Sequence, residues 1–266
     1  MSRLHGTRPQ HAVRAMSVIA PLSLKGRRFA RHVEVGRPSV LAKDHPSAVE
    51  ARTRYKATVR EPSSAQFILK SGQNSPKIDG RILKGRWAGM PAFTLTLEER
   101  ATCPSTCLHW FDCYGNKMHW PHRFKHGAGL EARLLGELEA LNVAHPNGFV
   151  VRLHVLGDFY SVAYVSKWRL WLSMFPALNV YGYTAWPVAT PIGRQVQRLR
   201  DENWQRFSVR TSDGGLHDAS TVSAHDCDDP LAELGTICPA QTQDTDCCAT
   251  CGLCWQSRDN IVFLEH

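Results

Sequence analysis

Eight of the nine cysteines fall into two groups: Cys103, Cys107 and Cys113 in TCPSTCLHWFDCYGN, and Cys238, Cys247, Cys248, Cys251 and Cys254 in CPAQTQDTDCCATCGLCW, with Cys227 standing apart. Thiolates separated by a few residues can reach one soft metal centre, because the turn between them lets the sulfurs converge. A structural zinc asks for four tetrahedral ligands. The first group offers three thiols, a poor closed zinc site but a suitable set for an iron–sulfur cluster with one iron free of protein ligands. In the second group Cys248, Cys251 and Cys254 form a CxxCxxC run with ferredoxin-type spacing, and Cys238 and Cys247 are further candidates. The spacing favours an iron–sulfur cluster, with zinc as the alternative.

Disulfides are the competing reading. The cysteine count is odd, and 266 residues can bury a sizeable core without covalent staples. The apolar run from Ala15 to Leu24 is broken by Ser and Pro and no small-residue cleavage site follows it, so it does not read as a secretory signal. No stretch approaches the length of a membrane span. The expected setting is therefore a reducing cytoplasm, where clustered thiols indicate metal or redox chemistry.

Other residues could do chemistry beside the thiols. Gly157 and Asp158 can form a tight turn whose backbone approaches a ligand while the carboxylate accepts hydrogen bonds from an amine or a ribose. A loop aspartate capping the helix that starts near Ser161 is the plainer reading. Arg210 and Ser212 end the segment RFSVRTS, and Thr184 and Trp186 end LNVYGYTAW. Phe159, Tyr160, Trp168, Trp171 and Tyr183 could stack on a base, although aromatic residues at helical spacing, Trp168 above all, belong more often to a core. His109, His119 and His122 lie near the first cysteines and could ligate metal or move protons.

These residues need elements to position them. Leu130, Leu134, Leu138 and Leu141 recur at helical spacing, and GFVVRLHVL supplies a β-branched run of strand length. Ser161 can cap a helix with Val162, Val165, Trp168, Leu172 and Phe175 on one face, ending before Pro176. LNVYGYTAW reads as a strand, Pro191 to Trp204 as a helix, RFSVRTS as a strand, and NIVFLEH as a last short strand. Ala92 to Leu97 alternates as a strand does. Strands and helices in alternation with short connections predict parallel βαβ units, and in such sheets ligands bind beyond the carboxyl ends of the strands. The first cysteine group, Gly157–Asp158, Thr184–Trp186 and Arg210–Ser212 all fall there.

Charge is uneven. Residues 1–100 hold 19 Lys and Arg against 7 Asp and Glu, whereas residues 213–246 hold eight acidic residues and no Lys or Arg. The overall +8 therefore comes from the N-terminal part, where DNA or RNA is the natural partner of a basic segment and a solvated tail is the plainer reading. Residues 1–64 read as a poorly ordered basic tail, 65–212 as an α/β core carrying the first cysteine group, and 213–246 as an irregular acidic loop leading, within 213–266, to the second group. The expected fold is α/β, a partial (βα) barrel-like parallel sheet with ordered structure from about Ala65 onward.

The segments TLTLEERATCPSTC, CYGNKMHW, RLHVLGDFYS and CCATCGLCW resemble the phage and bacterial proteins grouped as gene-product-88-like, over roughly Phe67 to His266. That resemblance implies a shared Cys-rich loop, strand–turn and terminal Cys cluster, and no activity. The chain is also similar, more distantly, to radical S-adenosylmethionine enzymes. It implies that Cys103, Cys107 and Cys113 hold the cluster, that Tyr114 is the aromatic beside the last cysteine, and that Gly157–Asp158 stands where the methionine amine is bound. The chain departs from that family in its Cys-x3-Cys-x5-Cys spacing and in carrying Asp for Glu. S-adenosylmethionine is the candidate cofactor on this resemblance, and a nucleic acid or nucleotide the expected substrate. The rival expectation is a zinc-stabilised, non-catalytic nucleic-acid-binding protein.

Overall fold

The structure, a computed structural model, describes residues 39–212 and 214–265. The expectation of a poorly ordered tail, where it concerns residues 1–38, lies outside the described residues. Elements run in the order α1 (Pro46–Val49), β1 (Val59–Arg60), β2 (Lys70–Ser71), β3 (Ala92–Thr94), β4 (Arg123–Phe124), α2 (Ala128–Ala144), β5 (Phe149–Leu153), α3 (Val162–Met174), β6 (Leu178–Thr184), α4 (Pro191–Asn203), β7 (Phe207–Thr211), β8 (Thr221–Ala224), β9 (Thr236–Ile237), α5 (Cys248–Cys251), α6 (Leu253–Gln256) and β10 (Ile261–Leu264).

Local chemistry explains the central βαβ units. Leu130, Leu134, Leu138 and Leu141 are all buried on α2, each worth about 1.5–3 kcal/mol when removed from water. The Ser161 hydroxyl accepts from the Tyr164 amide at 3.0 Å and caps α3, which buries Tyr164, Val165, Trp168, Trp171 and Leu172. Trp168 is fully buried and meets Trp171 edge to face at 5.0 Å, so it is a core residue. Thr190 caps α4 through the Gly193 amide, with Pro191 in the first turn.

The main sheet has the order β2-β3-β5-β6-β7, with β3, β5, β6 and β7 parallel and β2 antiparallel at one edge. A parallel bridge from Thr211 to Ser220 leads from β7 towards a second parallel sheet of order β8-β10-β9. The α/β class and the parallel sheet match expectation, and among the described residues the sheet stays open rather than closing into a barrel.

Side-chain alternation gives the main sheet two different faces. Phe93, Phe149, Val151, Leu153, Leu178, Val180, Phe207 and Val209 pack under the three long helices. Ala92, Val150 and Tyr181 point the other way, against Trp87, Trp255 and the cysteine-rich C-terminal segment. That segment covers the face that would be the lumen of a closed barrel.

Two expectations are corrected. Ordered structure begins before Ala65: Leu41 and Ala48 are buried, β1 pairs with β4, and Arg52 forms an ion pair with Glu98 at 2.6 Å. Sparse apolar residues hid this stretch, because it is held by polar contacts. Residues 213–246 are not one irregular loop either, since Thr221–Ala224 and Thr236–Ile237 flank β10 as strands. Their partner lies at the chain end, so only a long-range pairing reveals them.

Two core histidines make stability depend on pH. His145 is buried against Phe93 and Phe149, and burial with the Arg81 charge lowers its pKa to about 4. His154 is buried beside Phe159 and Tyr164, and burial with the Arg152 charge lowers its pKa to about 3. Between those values and the unfolded value of about 6.5 the unfolded chain binds more protons, so this stability is whole above about pH 6.5 and declines as pH falls. The loss at pH 5.5 is about 1.4 kcal/mol for each histidine. Urea melts at about pH 7.5 and 5.5 should therefore show a smaller pH loss for His145→Gln than for the wild type. Equal losses would show that His145 does not titrate in this way.

Candidate metal centre

Beyond β3 the chain continues through Leu97, whose amide bonds the Leu156 carbonyl at 2.9 Å, into the first cysteine loop. Two carboxylates fix its start. Glu99 meets Arg123 through bonds of 2.6 and 3.1 Å, both side chains being essentially inaccessible to water, and accepts the Thr53 hydroxyl at 2.7 Å. Glu98 accepts from Arg52 and from the Thr53 amide. Arg123 also donates to the carbonyls of Gly115, Met118 and Pro121, gathering the far end of the loop. Arg100 is held with φ 64°, a left-handed conformation that costs a non-glycine residue of order 1 kcal/mol or more.

Cys103, Cys107 and Cys113 are half-buried residues with inward sulfurs. Burial is the main cause raising each thiol, Cys107 to about 11, Cys113 to about 12 and Cys103 further still. Each sulfur nevertheless has a backbone donor: the amides of Arg100, His109 and Gly115 face Cys103, Cys107 and Cys113 respectively. The Arg100 charge also favours the thiolates of Cys107 and Cys113. Arg100 spends two nitrogens on the Trp110 carbonyl and Asn116 Oδ1, and its buried Nη1 has no partner. The amide donors and the cation favour the anionic sulfurs, but burial outweighs them and keeps the thiols protonated.

In the second group Cys238, Cys248, Cys251 and Cys254 line one small recess with Pro239, Trp255 and Ile261. Burial raises Cys238 to about 11, raises Cys251, and drives Cys248 higher still. Amides of Ala240 and Gln241 face Cys238, and the Leu253 amide faces Cys251. Lys77 lies near Cys238 and Cys248, and Lys84 near Cys251. Gly252, with φ 75°, makes the left-handed turn between α5 and α6 that returns Cys254 to the recess. Cys247 stands outside that lining. It is the N-cap of α5, and its backbone amide and sulfur both engage the Thr250 hydroxyl. Cys227 is exposed.

Arg152 and Tyr183 stand near residues of both groups. The Tyr183 hydroxyl lies 2.9 Å from Cys254 Sγ, and the Arg152 guanidinium sits 4.3 Å from the centre of the Tyr183 ring. Arg152 is also felt electrostatically at Tyr114, beside Cys113, and at Cys248.

Several expected ligand-binding residues have other partners. The Gly157 turn, φ 80°, lies so close to Thr102 and Leu97 that a Cβ would stand 2.5 Å from the Thr102 hydroxyl, which makes it a contact with the cysteine loop rather than a cradle. Asp158 does lie beside the thiols, and its charge raises Cys103 and Cys107. Its carboxylate accepts the amides of Phe159 and Ala185 at 2.7 Å each and so ties the end of β5 to the end of β6. It does not cap α3, because Ser161 does. Burial lifts its pKa to about 7 against those hydrogen bonds.

Arg210 is fully buried and donates to the carbonyls of Cys254, Ser220, Asp259 and Ser257, so it positions the second cysteine segment instead of facing a cofactor. Ser212 accepts from the Thr221 hydroxyl at 3.1 Å and joins the two sheets. The Tyr114 ring is half exposed, while its hydroxyl lies where burial and the neighbouring thiols raise its pKa. His109 bonds the Ser223 hydroxyl at 2.9 Å and Asp112 at 3.3 Å, pinning the first loop to β8. His119 packs edge to face on Trp120.

No family model, curated protein or solved structure matches this chain. The site rests on its own geometry. Among the described residues no three His, Cys, Asp or Glu side chains are spaced to hold a single metal ion. Arg100, Arg123 and Arg152 were not among the candidates. The signal for Arg152 was available, as a charge inside the apolar run VVRLHVL.

The lining divides the five C-terminal cysteines four to one. Replacement of Cys238, Cys248, Cys251 or Cys254 by Ser should abolish metal retention at the second group and lower the melting temperature, since ligand loss is coupled to loss of structure. Cys247→Ser should keep the metal content of the wild type. Metal analysis of the five purified variants reads this directly, and full retention by Cys251→Ser or loss from Cys247→Ser would reverse the division.

Proposed function

We propose that this chain is an iron–sulfur protein with two thiolate-bound centres and that it works as a radical-S-adenosylmethionine-like enzyme on a nucleic acid or nucleotide. The observation that supports it best is the recess lined by Cys238, Cys248, Cys251 and Cys254. Four thiols at the second group suit a fully protein-bound cluster, and three at the first leave one iron for another ligand. Bound there, such a cluster would supply a one-electron donor in contact with an exogenous molecule. The resemblance to gene-product-88-like proteins belongs to the same proposal.

The chain's own residues have separate tasks in it. Amides of Arg100, His109 and Gly115 favour the anionic form of the first three sulfurs, and Arg100 adds a cation. Asp158 and Gly157 lock the loop after β5 against the cysteine loop and against the end of β6. Arg210 fixes the turn that carries Cys254. Trp87 stacks on Trp255 at 5.3 Å and braces the residue next to Cys254.

Anaerobically purified protein should be brown and contain iron and acid-labile sulfide, and cluster-loaded protein should bind S-adenosylmethionine. Stoichiometric zinc without sulfide after attempted reconstitution would replace this reading with the zinc-stabilised one. Sulfide with no S-adenosylmethionine binding would keep the clusters and remove the radical assignment.

The nucleic-acid partner rests on charge. Residues 1–38 carry eight Lys and Arg against one acidic residue, Glu34. Removing a cation that neutralises one phosphate flattens the salt dependence of log K by about 0.7–0.9. Deleting residues 1–38 should therefore weaken DNA or RNA binding and flatten that slope, while a deletion reaching residue 60 should also destabilise the fold by removing Arg52 and Thr53. An unchanged slope would place the nucleic-acid surface elsewhere.

A further inference from the structure

Arg152 occupies an unusual place. It is 9% exposed and lies on the sheet face turned away from the helices, paired across the ladder with Tyr181. No carboxylate among the described residues pairs with it, and its one hydrogen bond runs from Nη1 to the Leu153 carbonyl at 2.6 Å. The remaining guanidinium nitrogens have no protein acceptor, so most of a fork that could grip two oxygens is unspent. A buried cation in this state is costly unless an anion meets it.

The neighbouring hydroxyls point to the same need. Tyr181 lies with its ring 5.4 Å from the guanidinium carbon, and its buried hydroxyl has no hydrogen-bond partner. Tyr114 reaches in from the other side, from beside Cys113, close enough for its hydroxyl to feel the Arg152 charge. Tyr183 holds the guanidinium from below by a cation–π contact. Among the described residues, the orphaned Tyr181 hydroxyl thus stands beside a guanidinium that makes a single hydrogen bond.

We propose that Arg152 is the anchor of an oxyanion subsite, taking a carboxylate or phosphate group of a small molecule at the guanidinium nitrogens left unspent beside Tyr114 and Tyr181. The subsite does not depend on which metal the cysteines hold. It would orient the bound molecule so that its uncharged part faces the first cysteine loop, since the anionic end is fixed at the guanidinium.

The test compares full-length wild type, Arg152→Met, Arg152→Lys and Tyr114→Phe in the metal state in which each purifies, with iron, sulfide and zinc recorded. Melting temperatures are followed while phosphate, or separately acetate, replaces chloride at constant ionic strength. A ligand that binds only the folded chain raises its melting temperature as it saturates the site.

The wild type should show a saturable rise that Arg152→Met lacks, its apparent Kd weakened roughly tenfold or more by loss of a charge-assisted pair. Arg152→Lys should retain a smaller rise, because the charge survives without the fork, and Tyr114→Phe a modestly weaker one. The anion giving the larger Arg152-dependent rise identifies the group recognised. Equal responses in the wild type and Arg152→Met would overturn the subsite. So would anion binding that disappears once a cluster is loaded, since the guanidinium would then be the counter-ion of the cluster. Arg152→Lys and Tyr114→Phe keep the test decisive if Arg152→Met does not fold. The metal record is a separate readout, so failure of the cluster reading and failure of the subsite are told apart.

Discussion

The buried pair of Glu99 with Arg123 sets the position of everything at the carboxyl edge of the first parallel strand. It stands just after the extension of β3, and Arg123 spends its other donors on the Thr58 hydroxyl and on the carbonyls of Gly115, Met118 and Pro121. Such a pair contributes little net stability, because desolvation offsets most of the Coulomb attraction, but removing one partner is costly. Its effect is geometric. One guanidinium decides where the loop from Cys103 to Met118 begins and ends, and so helps to place its three cysteines. The segment around Arg52 and Thr53 is bound into the same arrangement through Glu98 and Glu99.

Arg210 has the corresponding part on the other side of the site. It is buried as well but, unlike Arg123, has no carboxylate partner among the described residues, and four carbonyls of the C-terminal half take its donors. Because it projects from β7, the turn carrying Cys254 is referenced to the main sheet rather than to its own short helices. A segment of two four-residue helices could not hold such a turn alone, since isolated helices that short are unstable in water. Trp255, fully buried between Trp87 and Tyr181, adds the apolar half of the attachment.

The central βαβ units were legible because their signals are local. The leucine spacing of α2, the Ser161 cap and the β-branched strand before Gly157 each lie within a few residues, and the grouping of thiols survives from sequence into space. What escaped was non-local. β8 and β9 exist only by pairing with β10 at the chain end, and residues 39–64 are held by Arg52 and Tyr55 acting on groups far along the chain. Sequence also could not say how a polar residue spends its hydrogen bonds. Asp158 and Arg210 fall at the expected edge of the sheet, yet their donors and acceptors are consumed by backbone. Arg152 sits in a strand that periodicity describes as purely apolar, and it is the residue left with capacity. Among five C-terminal cysteines, spacing favoured Cys248, Cys251 and Cys254 alike, and only the cap geometry of α5 sets Cys247 aside.

Charge balance links the two thiol groups to folding. Arg100 and Arg152 carry positive charge into the side of the sheet where the cysteines lie, and among the described residues neither has a carboxylate partner. The thiols that could answer them are held neutral by burial. In that state the interior contains cations offset only by neutral hydrogen-bond and ring partners among the described residues, beside sulfurs that have amide donors. Metal binding at the first group would change this around Arg100, because coordination deprotonates the thiols and would leave a net negative centre beside that cation. An apolar replacement of the thiols could not do this, since it would leave the guanidiniums unpaired. Under the proposed reading a sulfur-ligated centre would therefore offset the buried charge of Arg100, and that reading draws on this cation as well as on the cysteines.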